Sequence, residues 1–302
     1  MDTQDRKDLL RASRPLHLLS SALLYALGGG IASYLGVQVR IGHYVLGQIW
    51  VLGLQLGTCY LGEYLNNPLR TGFFPGEPWE RPARVLLSRP ARDFTIFISA
   101  LFYALTAALT VLLAYAGVVN LILGIWMGVG FLGYLSLVIP PVQTVIAGFE
   151  DLIHALMLVT FTPLIGFVVQ RGELHPFLLW NTFFLFFLHL AMLIVIQFPQ
   201  YAFLARREEP AFLVMLGWKR GVRVHAGLVI GAFYLLGILT LSGYPARLVV
   251  PLLLALPFGG FQVWYLFRIA RGAPARWKLL VITSLITFGF STYLTVFVFW
   301  IQ

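Results

Sequence analysis

The apolar positions of this sequence fall in blocks rather than stripes. Stretches such as LLSSALLYALGGGIASYLG, FTIFISALFYALTAALTVLLAY and NTFFLFFLHLAMLIVIQF carry few or no charges and show no alternation. About 20 such residues cross a bilayer as a helix, and the blocks predict nine spans, near 16–36, 44–62, 94–115, 117–139, 144–170, 176–199, 222–242, 245–267 and 279–300. The ten-residue alternating segments of a membrane barrel are not found, so strands are not expected. The predicted class is all-α, a polytopic membrane bundle forming a single domain over 1–302. Two connections exceed what joining helices requires, about 63–93, rich in Pro and Gly, and about 200–221; both are predicted to cap one face of the bundle.

Composition agrees with that pattern. Of 302 residues, 59% are hydrophobic and 11% charged, and the mean hydropathy is +0.85, which is more apolar surface than one soluble core buries. A soluble globule, a disordered tail and a disulfide-stapled domain are excluded, the last because Cys59 is the single cysteine. The net charge of +9 suggests nucleic acid only until the basic residues are placed. Of 21 lysines and arginines, all but Arg40, Arg171 and Arg247 fall in the N-terminal segment and the even-numbered loops. That asymmetry predicts a multi-pass protein of an inner or cell membrane with a cytoplasmic N-terminus, and no nucleic-acid partner. The polar first 15 residues lead into an apolar run without a convincing cleavage site, so no removed signal peptide is expected.

Few ionisable groups reach membrane depth: Glu150, Asp151 and His154 in the fifth span and His189 in the sixth. A charge at a helix centre costs about 2.5–3.5 kcal/mol, so each needs a partner, water or a changed protonation state. Glu150 and His154, one turn apart, share a helix face and fit a polar wall of a ligand cavity. The competing reading places Glu150 and Asp151 at a hydrated helix end. His189, set among Phe and Leu, reads as a structural histidine, and Cys59 as a small packing residue. No P-loop, zinc spacing or serine-nucleophile elbow is found.

At the end of the second span the chain reads CYLGEYLNNPLR, which resembles the first aspartate-rich motif of the UbiA superfamily of intramembrane prenyltransferases, in its menaquinone-type branch. Arg14-Pro15 precedes the first span as in many members. The stretch GFEDLIHALMLVTFTPLIGFVVQRGEL resembles the family's fifth helix, with Glu150, Thr162-Pro163-Leu164, Gly166 and Gly172-Glu173 in register. After the sixth span, QFPQYAFLARREEPAFLVMLGWKRG resembles the second motif and its tail at Phe198, Pro199, Tyr201, Val214, Leu216 and Gly217. The resemblance implies nine helices around an apolar chamber. It also implies two carboxylate motifs that hold Mg2+ on the diphosphate of a polyprenyl donor.

The sequence departs from that pattern where the metal would sit. The first motif keeps Glu63 but has Asn66 and Arg70 at its aspartate positions, and the second has Gln200 and Leu204. The basic position after it is Glu209. Amides offer neutral oxygens, leucine none, and arginine repels a cation, so no metal ligands and no cofactor are expected. Arg70, Arg206 and Arg207 could contact a phosphate or lipid headgroup, or serve only as topology signals. The reading is a UbiA-like membrane protein with a cavity for an isoprenoid or quinone-type lipid, diverged from Mg2+-dependent polyprenyl transfer. Membrane lipid and a partner membrane subunit are compatible partners. The alternative is an active prenyltransferase that moves a polyprenyl group to an aromatic or quinone-precursor acceptor through a non-standard site.

Overall fold

The computed structural model describes residues 9–65 and 89–301, and within them the chain is helical with no strand. Nine apolar helices run in sequence: α1 Pro15–Tyr34, α2 Ile41–Leu65, α3 Arg89–Tyr115, α4 Leu121–Ser136, α5 Glu150–Arg171, α6 Pro176–Gln197, α7 Trp218–Leu241, α8 Ala246–Ala270 and α9 Trp277–Ile301. Eight of these are long and apolar enough to span a membrane, and α4, at 16 residues, is the shorter ninth. The fourth predicted span thus exists but falls short of the length expected of it. The fifth begins at Glu150 rather than near 144, because Pro140–Val145 forms its own short helix and Gly148, at φ +83°, breaks the chain before Phe149.

Burial differs between the helices: within their most apolar windows α5 and α6 are 78% and 72% buried, α2 is 61% buried and α3 is 22% buried. α1, α5, α6 and α9 contact one another, α2 pairs with α3, and α7 packs against α6 and α8. Without a hydrophobic drive between helices in lipid, close approach depends on small residues. A Cβ at Gly28 would fall on the Pro163 carbonyl oxygen, and one at Gly166 on the Tyr25 carbonyl oxygen, so α1 and α5 meet backbone to backbone.

α5 is not a regular α-helix throughout. Leu156–Phe161 widens to a π-turn just before Pro163, whose ring cannot donate to the preceding turn. Backbone freed in this way needs partners in lipid. The Met157 carbonyl accepts from the Thr162 hydroxyl at 3.2 Å and the Tyr134 hydroxyl at 3.4 Å, and the Tyr134 oxygen accepts from Gln55 Nε2 at 2.7 Å. One irregular turn therefore ties α2, α4 and α5 together. In α8, a 3-10 stretch over Val250–Ala255 accompanies Pro251 and Pro257.

Candidate functional site

Alternation of the helices brings the start of α1, the end of α2, the start of α5 and the end of α6 to one face of the bundle. Pro15 opens α1, and Arg14 before it leaves the preceding turn in the left-handed region at φ 52°, ψ 64°. For a side-chain-bearing residue that conformation costs about 1–2 kcal/mol. It sets the Arg14 guanidinium 4.0 Å from Glu63 near the end of α2, with both side chains about one-fifth exposed. Beside it, Arg92 Nε and Nη2 donate to the Tyr64 carbonyl at 3.1 and 2.7 Å and cap the end of α2.

The opposite wall is built by α5 and α6. Asp151 is buried and accepts a hydrogen bond from Gln197 Nε2. Gln197 Oε1 in turn accepts from the Leu213 backbone N–H at 2.9 Å, which tethers the short helix Phe212–Leu216 to the bundle. Met215 of that helix fills the space a Cβ would need at Gly148. Beyond Gln197 the chain turns through Phe198–Gln200 into Tyr201–Arg206. Phe198 packs edge-on to Trp218 at 4.9 Å and parallel to Trp277 at 6.4 Å, and the Trp218 backbone N–H donates to the Tyr201 hydroxyl at 3.3 Å.

The residues singled out from sequence are distributed as follows. Glu63 lies at the end of α2 with Arg14. Asn66 and Arg70 lie outside the described residues. Gln200 is buried at 8% exposure, and its Nε2 has no hydrogen-bond partner among the described residues. Leu204 is buried at 4% and offers no oxygen to this face. Arg206 ends its short helix, while Arg207 lies 4.4 Å over the Phe203 ring and 3.8 Å from Glu209. Glu150 is half-buried, and it is Asp151, three residues before His154, that is buried along with that histidine. Asp151 is thus bonded within the protein rather than hydrated.

Sequence reasoning passed over the most concentrated polar feature. His17 of α1, His154 of α5 and His189 of α6 form a continuous ladder of imidazoles. The ring centroids of His17 and His154 are 5.0 Å apart and those of His154 and His189 are 5.6 Å apart; His189 Nε2 lies 3.5 Å from His154 Nδ1. All three are more than nine-tenths buried, and Phe288 of α9 closes the far end at 4.5 Å from His189. His17 follows Arg14 by one turn and His154 follows Asp151 by one turn, so the ladder sits about 5 Å inside the face just described. Its members come from three distant segments, so no local spacing signals it. Among the described residues no three His, Cys, Asp or Glu side chains are arranged to hold a metal ion.

No protein-family model and no curated protein matches this sequence. Solved structures do. A UbiA homologue from Archaeoglobus fulgidus bound to Cd2+ superimposes with a TM-score of 0.60 at 18% identity, covering 97% of each chain. The same homologue bound to DMAPP and Mg2+ gives 0.61 at 16% identity, and bound to GPP and Mg2+ gives 0.56 at 15%; each covers 95% of this chain and 99% of the other. Identity is low, yet the correspondence runs almost end to end. The chain is a multi-pass membrane protein with the UbiA fold.

Proposed function

We propose that this chain is a UbiA-superfamily member that holds an isoprenoid or quinone-type lipid within its bundle and has diverged from Mg2+-dependent polyprenyl transfer. The observation that carries the reading is the donor set on the polar face. Mg2+ takes hard, preferably anionic oxygens in near-octahedral array. Here the described groups at the motif positions are Glu63 facing Arg14, a buried amide at Gln200 and a buried Leu204. One carboxylate beside a guanidinium does not fit a divalent cation. We place this face in the cytoplasm, since the basic residues concentrate in the segments that flank it.

The test uses purified protein with labelled geranylgeranyl diphosphate and a naphthoate or hydroxybenzoate acceptor, with and without chelator. The expected outcome is lipid retained in native mass spectra and no chelator-sensitive transfer; transfer abolished by chelator overturns the reading. A second reading, transfer without metal, is favoured by one feature. The Gln200 Nε2, without a partner among the described residues, and the Arg14 guanidinium supply hydrogen-bond donors, and donors suit a diphosphate directly. Chelator-insensitive transfer that Arg14→Gln removes would select it.

A further inference from the structure

We propose that the start of α7, the end of α8 and the start of α9 together form a binding site for an anionic phospholipid headgroup with two phosphates on one glycerol bridge, of the cardiolipin type. The site is separate from the isoprenoid reading above, which concerns the ends of α1, α2, α5 and α6.

Beyond Glu209 the sequence has no Asp or Glu, and of the Lys and Arg that follow, all but Arg247 fall at these three helix ends. Lys219, Arg220 and Arg223 lie in the first two turns of α7, Arg268 and Arg271 at the end of α8, and Arg276 and Lys278 on either side of Trp277 at the start of α9. Packing brings the ends together. Trp218, which opens α7, and Trp277, which opens α9, meet edge to face with ring centroids 5.9 Å apart, so the basic residues next to each tryptophan are neighbours in space. The turn between α8 and α9 is held in place by Tyr265, whose hydroxyl accepts from the Arg276 backbone N–H at 2.9 Å and donates to the Pro274 carbonyl at 3.4 Å. These basic residues are all exposed. None of Lys219, Arg220, Arg223, Arg268, Arg271 and Arg276 is in a salt bridge among the described residues. Orientation in a bilayer calls for an excess of basic residues on one side. It does not call for three helix ends to converge on one tryptophan pair with no acid in that stretch of chain. Like charges gathered in this way repel one another and draw a counter-anion.

The anion is a lipid because the patch lies at headgroup level. Arg268 sits 5.0 Å over the Trp264 ring, and Trp264, 52% exposed near the end of a spanning helix, marks the membrane surface. Phe261 lies 5.8 Å from that indole and stacks on Tyr265 at 5.6 Å, which gives acyl chains an aromatic wall beside the charges. Guanidinium groups pair two-pronged with phosphate oxygens, and basic clusters between helices at the membrane surface bind phospholipid headgroups. One basic group on α7 and one on the turn between α8 and α9 flank the tryptophan pair. A headgroup with two linked phosphates engages both and is held more tightly than two separate monoanionic lipids.

The test uses the full chain in detergent with cardiolipin, phosphatidylglycerol and phosphatidylcholine of matched acyl chains, read by native mass spectrometry. Phosphatidylglycerol is supplied at double the molar amount of cardiolipin, so that phosphate is equal. Wild type should retain cardiolipin about tenfold over either other lipid, and K219Q/R220Q/R223Q and R268Q/R271Q/R276Q should each cut that retention about tenfold. R40Q/R171Q/R247Q removes the same charge from the opposite side and should keep it. Thermal midpoints without lipid should agree between wild type and the first two variants, whose exchanged side chains are exposed, and added cardiolipin should raise the midpoint of wild type alone. Equal retention of cardiolipin and phosphatidylglycerol by wild type, undiminished cardiolipin on either of the first two variants, or a matching loss in the third overturns the site.

Discussion

On the proposed reading Gln200 and Leu204 stand where carboxylates would hold a cation, and both can be replaced. Gln200→Asp with Leu204→Asp restores two carboxylates near the end of α6, and Mg2+ affinity measured by calorimetry should rise on the order of tenfold or more with the added ligand charge. No change would mean these positions do not face the site. Asp151→Ala removes the acceptor that holds Gln197 and leaves a buried amide hydrogen without a partner. The expected loss is about 1–3 kcal/mol, read as a lower thermal midpoint in detergent. His154 was legible in the sequence as an ionisable group at membrane depth. Which of the two acids is buried was not, because Glu150 and Asp151 precede it by four and three residues and both spacings fit a helix; Asp151 is the buried one, bonded to Gln197 of α6. His17 gave no signal, since nothing local distinguishes a histidine near the start of a span from an interfacial one.

Among the helices, α1 and α5 are held by the backbone contact at Gly28 and Gly166. Gly28→Val should force them apart at a cost of about 1–3 kcal/mol, seen as reduced folded yield and a lower thermal midpoint, while Gly42→Val, where a Cβ meets nothing, should not. The number and order of apolar helices were readable because lipid demands unbroken runs of apolar residues. Their ends were not. α4 is shorter than its hydropathy block, the fifth span was drawn from 144 across the end of the Pro140–Val145 helix and the break at Gly148, and the 3-10 stretch of α8 lies inside an uninterrupted apolar run. Hydropathy measures transfer into lipid and is blind to prolines and positive-φ glycines that redirect the backbone within it.

Orientation in the bilayer can be read directly because the single native cysteine, Cys59, is buried and should stay unlabelled. In sealed vesicles of known sidedness, an impermeant maleimide should reach Ala275→Cys from the cytoplasmic side and Ser242→Cys from the opposite side. The reverse pattern would place the polar face outside. The near end-to-end agreement with the Archaeoglobus fulgidus homologue at 15–18% identity shows that the arrangement outlasts most of the side chains that fill it. Phe288 lies against His189, and Trp300 on the same helix donates to the Ala26 carbonyl of α1 at 2.8 Å. During synthesis, the histidines of the first, fifth and sixth helices must wait in the bilayer until the ninth emerges from the ribosome to seal them. A nascent chain halted before Trp277 would present an open imidazole to lipid, which makes that helix the latch of assembly.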